Sequence, residues 1–204
     1  MILTAVRHLP PDEFFSGSDD YTRDVSEEGH AQGPLLASTV SRHHYRRAYV
    51  SPYKRCVSTA RYLRDHADEF FEAVELRESA HPGMETWVRK KALALPESMF
   101  DLRDRVSRFL DFALGDRSEN ILLVTHADVI NAVRWHVCGL TTDEFLGLYD
   151  NPDNFIGMGS VWAFDLDDGT LTRSSSDGSD LKLAASFPPR ESCARAIDLW
   201  WGSE

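Results

Sequence analysis

Three short apolar runs, each stopping at a cationic or imidazole side chain, constrain this chain more than any other feature. Ile2-Leu3-Thr4-Ala5-Val6 stops at Arg7-His8. Ala48-Tyr49-Val50 stops at Ser51-Pro52-Tyr53-Lys54-Arg55, and Ile121-Leu122-Leu123-Val124-Thr125 stops at His126. Runs of this length and β-leaning composition read as buried strands, and a helical pattern follows each. In an open α/β sheet, strands deliver their chemistry at their C-terminal ends, where a crevice forms. The pattern therefore predicts an α/β fold whose crevice gathers Arg7, His8, Arg55 and His126. Two imidazoles and two guanidiniums in one crevice suit a phosphoryl group, because the planar guanidinium fork matches its oxygens.

The remaining segments fit around these strands. Residues 9–25 hold two prolines, Gly17 and Asp19-Asp20, and read as a long loop beside the first strand's end. Ser26 is placed as the N-cap of a helix that opens with Glu27-Glu28 and runs towards Arg42. Gly33-Pro34 lies inside it, so a kink or late start is expected there. Residues 53 to about 70 read as one helix, with Val57, Ala60, Leu63 and Ala67 on one face. Residues 75–96 read as irregular, broken by Pro82-Gly83 and Pro96. Leu102, Val106, Phe109, Leu110 and Ala113 form a helical stripe ended by Gly115. Val129, Ile130, Val133 and Val137 form another, ended by Gly139. Thr141-Thr142-Asp143-Glu144 fits a capping box. Residues 160–166, 170–174 and 181–186 look like strands joined by Asp168-Gly169 and Asp177-Gly178 turns, a meander at the sheet edge. A short helix is expected over 191–200. Residues 1–204 read as one domain.

Composition narrows the function classes. The formal net charge is −11, which argues against nucleic acid and anionic membranes as general partners. An anionic substrate has to be caught by local positive charge. Cys56, Cys138 and Cys193 are odd in number and lack CxxC spacing, as expected of reduced thiols in a cytoplasmic protein. The apolar start reaches Arg7 too soon for a signal peptide, and no run nears the ~20 apolar residues of a membrane span. His43 and His44 are adjacent and cannot share a helix face, and His126-x-Asp128 is a weak metal signal. No metal or cofactor is expected. Arg89-Lys90-Lys91 reads as a solvated basic face, or as a contact for a second anionic group on the substrate.

Five stretches carry a resemblance. Arg7-His8 after an N-terminal strand resembles the Arg-His-Gly signature of the histidine phosphatase superfamily, the phosphoglycerate mutase-like proteins. Residues 24–32, Asp-Val-Ser-Glu-Glu-Gly-His-Ala-Gln, are similar to its Asp-x-Leu-Thr-x-x-Gly-x-x-Gln. Residues 51–60, Ser-Pro-Tyr-Lys-Arg-Cys-Val-Ser-Thr-Ala, look like its Ser-Pro-Leu-x-Arg-Ala-x-Gln-Thr-Ala. Leu76-Arg77-Glu78 falls where the family has Leu-x-Glu, and Val124-Thr125-His126-Ala127 resembles its Val-Ser-His-Gly. Leu9 and Ala127 stand where the family has glycine.

The resemblance implies a three-layer α/β/α sandwich with a mainly parallel sheet. It implies a phosphatase that hydrolyses a small-molecule phosphomonoester through a phosphohistidine, without a metal ion. In that scheme His8 is the nucleophile. Arg7 and Arg55 grip the non-bridging oxygens, and His126 donates to them. Glu78 is the general acid and then the base for water, with Glu75, Glu85 and Asp128 as competitors. The segment 75–96 would shape the substrate pocket. A phosphomutase using the same phosphohistidine is the alternative enzyme, and an inactive member that binds a phosphorylated ligand or a protein is the alternative outside enzymes. The sequence gives no oligomeric state.

Overall fold

In the computed structural model the residues described are 1–17, 19–79, 97–115, 119–150, 154–174 and 180–181. β1 (Ile2–Arg7) buries all four of its central residues. A strand buried on both faces belongs inside a sheet. β1 accordingly lies between β4 (Ile121–Thr125), which pairs with it in parallel, and β5 (Val161–Asp165), which pairs antiparallel. On the parallel side β4 meets β2 (Tyr45–Val50), and β2 meets β3 (Ala67–Glu72). β6 (Thr170–Ser174) and β7 (Asp180–Leu181) extend the antiparallel side. The seven-stranded order is β3-β2-β4-β1-β5-β6-β7.

Helices cover both faces, which makes the three layers. α1 (Glu27–Val40) and α2 (Lys54–Ala60) bury Leu36, Val40 and Cys56 against Val6, Ala48, Leu122 and Val124. α3 (Met99–Ala113) and α4 (Ala127–Cys138) bury Leu102, Val106, Phe109, Ile130 and Val133 against Leu3, Ala5 and Leu123. Alternate residues of β1 thus feed opposite cores, as the pleat requires. The Thr141–Glu144 capping box opens α5 (Thr142–Asp150), and Gly139 ends α4 at φ 64°. Among the described residues no helix is long and apolar enough to cross a membrane.

Three expectations need correction. α1 starts at Glu27, ahead of Gly33-Pro34, so the late start does not occur, and Ser26 caps the Gly29 N–H at 3.0 Å. Pro34 removes one helical bond, but the packing of Leu36 and Val40 outweighs it, and a Cβ at Gly33 would lie 2.4 Å from the Tyr62 ring. The helix expected over 53–70 ends at Ala60. It passes into a 3-10 turn (Arg61–His66) and then β3. β3 is an edge strand with only Ala67 buried, so no alternation marked it in the sequence. The start of the segment expected to be irregular forms a 3-10 turn (Val74–Leu76). The rest of that segment, 80–96, lies outside the described residues, as do 182–186, the helix expected over 191–200, Cys193, Glu85, His81 and Arg89-Lys90-Lys91.

Candidate active site

The C-terminal ends of β1, β2 and β4 meet in one crevice, and backbone bonds fix each functional segment there. The His8 N–H donates to the Thr125 carbonyl at 3.0 Å, and the Gly159 N–H donates to the His8 carbonyl at 3.1 Å. The Ser51 N–H donates to the Val124 carbonyl at 2.9 Å, which brings the start of α2 beside β4. His126 is the N-cap residue of α4. The Thr125 hydroxyl donates to the Leu76 carbonyl at 2.8 Å, drawing in the segment that bears Glu78. Buried Arg105 anchors that segment from below through the Glu75 and Arg77 carbonyls, and its guanidinium pairs with Glu97. Leu9 is wholly buried in the core, and none of the described residues other than glycine has positive φ. The chain therefore passes the family's glycine position in an ordinary conformation.

Arg55 is the hub. Its Nε donates to His8 Nε2 at 3.2 Å. Its Nη1 lies 3.0 Å from both the carbonyl and the carboxylate of Asp20, and its Nη2 donates to Glu78. The guanidinium also lies 4.5 Å from the centre of the Tyr53 ring. On the other side of the ring, His8 Nδ1 donates to the Leu9 carbonyl at 2.7 Å. That bond fixes the tautomer, since a carbonyl only accepts, and leaves the Nε2 lone pair facing Arg55. The His8 and His126 rings meet edge to face, 5.2 Å between centres. His126 Nε2 is held by the Ser51 hydroxyl at 2.9 Å and lies 3.5 Å from the Cys56 sulfur. Its Nδ1 is buried without a hydrogen-bond partner, 3.9 Å from Glu78 Oε1. Arg7 donates from Nη1 to the Ile156 carbonyl, while its buried Nε has no partner. Two buried nitrogens without partners in one crevice, one of them a guanidinium N–H, are the kind of group that a bound anion satisfies.

The electrostatics follow from burial. Desolvation first, and then the Arg55 charge, hold both His8 and His126 well below the usual histidine range, so both rings are neutral at pH 7. Burial pushes the Glu78 carboxyl up; Arg55 opposes that and Asp20 adds to it. Burial and the Glu78 charge raise Asp128, in the first turn of α4, to about 7, against the pull of Arg7. Buried Arg23 also acts on this site, lowering both His8 and Glu78, and its Nη1 lies 3.8 Å from Asp20.

Thus Arg7, His8, Arg55, Glu78 and His126, the five residues singled out in the sequence, come together. Of the competing acids, Asp128 adjoins the site. Glu75 instead lines a separate groove with Phe71 and Phe112 below β3. His30, His44 and His136 are engaged elsewhere by Tyr62, Asp68 and Asp111. Asp20 and Arg23 gave no signal, because the loop 9–25 has no periodicity; Thr59, next to the last residue of α2, stood in the matched stretch 51–60 with no role assigned to it. Ser51 could have been found from its place beside Arg55 in the Ser-Pro-x-x-Arg turn. Among the described residues no three His, Cys, Asp or Glu side chains cluster to hold a metal ion.

A family model described as the histidine phosphatase superfamily (branch 1) matches residues 12–152. No curated protein matches the chain. Among solved structures, a mycobacterial glucosyl-3-phosphoglycerate phosphatase is similar with a TM-score of 0.61 at 17% identity, over 92% of this chain and 99% of that one. The alpha-ribazole phosphatase of Shigella flexneri gives 0.60 at 20% identity, over 81% of this chain and 90% of that one. A phosphoserine phosphatase mutant of Entamoeba histolytica gives 0.60 at 12% identity, over 85% and 95%. At these identities the likeness is one of fold.

Proposed function

The chain belongs to the histidine phosphatase superfamily, and from that premise we propose that it hydrolyses a small-molecule phosphomonoester through a phosphohistidine on His8. The observation that carries the reading is the His8 ring. Its Nδ1–H is committed to the Leu9 carbonyl, and the lone pair on Nε2 stands next to Arg55. In the first half-reaction Nε2 attacks phosphorus, the P–N bond forms as the ester P–O bond breaks, and Glu78 gives its proton to the leaving oxygen. Arg7 and Arg55 take the non-bridging oxygens, and His126 donates from Nδ1, the tautomer that a hydrogen bond from the Ser51 hydroxyl to Nε2 favours. In the second half Glu78 takes a proton from water, whose oxygen attacks phosphorus as the P–N bond breaks.

Charge balance supports the same reading. Arg7, Arg23 and Arg55 face Asp20, Glu78 and Asp128. Burial raises the Glu78 and Asp128 carboxyls, so they offset the three guanidiniums less than their number suggests, and the positive balance suits a phosphomonoester dianion. A raised Glu78 carboxyl is also what an acid catalyst needs. The guanidiniums and His126 neutralise the phosphoryl group, so the mechanism calls for no metal ion. Two of the similar structures bear names for small-molecule phosphatases acting on a glucosyl-phosphoglycerate and on alpha-ribazole phosphate, which favours a substrate of that size.

The test is to trap the intermediate. Brief incubation with labelled phosphomonoesters and an alkaline quench is expected to leave base-stable, acid-labile phosphate on the protein, and none on His8→Ala. Label retained by His8→Ala overturns the assignment. Insensitivity to EDTA, with inhibition by vanadate, is expected in the same assay.

A further inference from the structure

We propose that Thr59 is a positioning residue for His8, whose hydroxyl ties the His8–Leu9 peptide to helix α2 and thereby sets which ring nitrogen attacks. The proposal rests on the reading of His8 as nucleophile. Backbone bonds past the strand end hold the His8 N–H and carbonyl, to the Thr125 carbonyl and the Gly159 N–H respectively. The next donor, the Leu9 N–H, has no such partner. Leu9 is 0% exposed, so water does not serve it either, and it donates to Thr59 Oγ1 at 3.0 Å.

Thr59, itself 0% exposed, donates its hydroxyl proton to the Arg55 carbonyl at 2.7 Å. Such a bond four residues back is common for a helical threonine and asks nothing of Leu9. It does, however, commit the proton, so that only a lone pair can face the Leu9 N–H. The hydrogen bonds then run in one direction: Leu9 N–H to Thr59, Thr59 to the Arg55 carbonyl, and His8 Nδ1–H to the Leu9 carbonyl at 2.7 Å. Arg55 closes the circuit, because its Nε reaches the opposite nitrogen of the same ring at 3.2 Å. The nucleophile and the phosphate-gripping guanidinium are therefore held to each other through one hydroxyl.

The chemical consequence concerns the tautomer. Attack by Nε2 leaves the ring cationic, with the Nδ1–H still donated to the Leu9 carbonyl. The Leu9 carbonyl belongs to the following peptide, Leu9–Pro10, and Thr59 acts on it by anchoring the Leu9 nitrogen from which that peptide is aimed; without the anchor the carbonyl can leave Nδ1, and the tautomer with its proton on Nε2 becomes accessible. That tautomer has no lone pair for phosphorus. Side-chain contacts of this sort act through geometry, and a displacement near 1 Å can cost on the order of 10²-fold in rate.

The experiment compares Thr59→Val, which keeps the shape and loses the hydroxyl, with Thr59→Ser, which keeps the hydroxyl. Three quantities are measured: the burst rate of phosphohistidine formation from p-nitrophenyl phosphate, the affinity for inorganic phosphate, and the ring tautomer of His8 by nitrogen-15 NMR. Thr59→Val is expected to lose on the order of 10²-fold in burst rate with phosphate affinity little changed, and Thr59→Ser to keep the wild-type rate. The His8 proton should lie on Nδ1 in wild type and Thr59→Ser, and be shared between nitrogens in Thr59→Val. An unchanged burst in Thr59→Val, an equal loss in Thr59→Ser, or a loss of phosphate affinity in step with the rate overturns the proposal. Should wild type form no phosphohistidine, the reading of His8 fails, and the tautomer comparison still decides the role of Thr59. Should Thr59→Val not fold, a wild-type spectrum with the proton on Nε2 overturns the proposal, and Nδ1 protonation kept in Thr59→Ser supports it.

Discussion

The guanidinium Nε of Arg55 donates to His8 Nε2 across 3.2 Å, so the lone pair proposed to attack phosphorus is already covered by the cation proposed to hold the phosphate. One contact serves two ends. It fixes the ring plane, and its charge, together with burial, keeps His8 neutral. Substrate has to replace it, and the same guanidinium then turns to the phosphoryl oxygens. Asp20 and Glu78 occupy the other arms of the fork until that happens.

Arg55→Ala removes the 3.0 Å partner of the Asp20 carboxylate, which is 7% exposed, while Arg23 stays 3.8 Å away. Breaking one side of a buried pair typically costs about 3–5 kcal/mol, and the expected loss here is at the lower end, roughly 3 kcal/mol. Adding Asp20→Asn to Arg55→Ala should recover part of it. Urea unfolding of the four proteins in the cycle measures this, and strict additivity would show that the pair is not coupled. Asp20→Asn alone should bind inorganic phosphate more tightly, because one negative charge leaves the crevice.

Glu78→Gln should discriminate between leaving groups. An alkoxide needs a proton as it departs, and positioned acid catalysis is worth typically 10²–10⁴-fold. Nitrophenolate leaves readily without one. The variant is expected to lose most of its rate on an alkyl phosphate while its burst with p-nitrophenyl phosphate changes much less. An equal fall on both substrates would move the acid to neighbouring Asp128.

Asp128 should make stability depend on pH. Its carboxyl stands at about 7 in the folded chain against an ordinary 3.8. The folded state therefore holds the proton after the unfolded chain has released it. The stabilisation this gives is complete below the ordinary value and is lost as pH rises towards the folded one. Asp128→Asn removes that dependence. Each unit corresponds to about 1.4 kcal/mol, but the side chain is only part-buried, so a gain on the order of 1–2 kcal/mol is expected at about pH 8 and none near pH 4. Melting curves across this range decide it.

Ser51→Ala should weaken the proposed donor rather than the nucleophile. His126 then loses the 2.9 Å partner on Nε2 and with it the preference for a proton on Nδ1. Losing one net hydrogen bond, about 1 kcal/mol, corresponds to roughly a fivefold weaker affinity for inorganic phosphate, with the His8 tautomer unchanged. A shift at His8 instead would mean that the two rings are not independently set.

The frame and its reactive ends were legible in the order and composition of the runs. Runs such as residues 2–6 and 121–125 are apolar on both faces, and such runs have few places to go other than the middle of a sheet. Their ends therefore converge, and Arg7, His8, Arg55 and His126 could be placed together from chain order alone. Local patterns also reported themselves, as Ser26, Thr141 and Gly139 did by capping. β3 did not, because five of its six residues are exposed and its pairing with β2 is a backbone matter. Pro34 misled, because its local cost is smaller than the burial that surrounds it. Asp20 and Arg23 enter the site, Ser51 meets His126, and Leu9 turns its side chain into the core only through tertiary contacts. Those relationships join residues far apart in the chain through hydrogen bonds and desolvation. Neither leaves a period in the sequence, since each depends on where two segments lie after the sheet has brought them together.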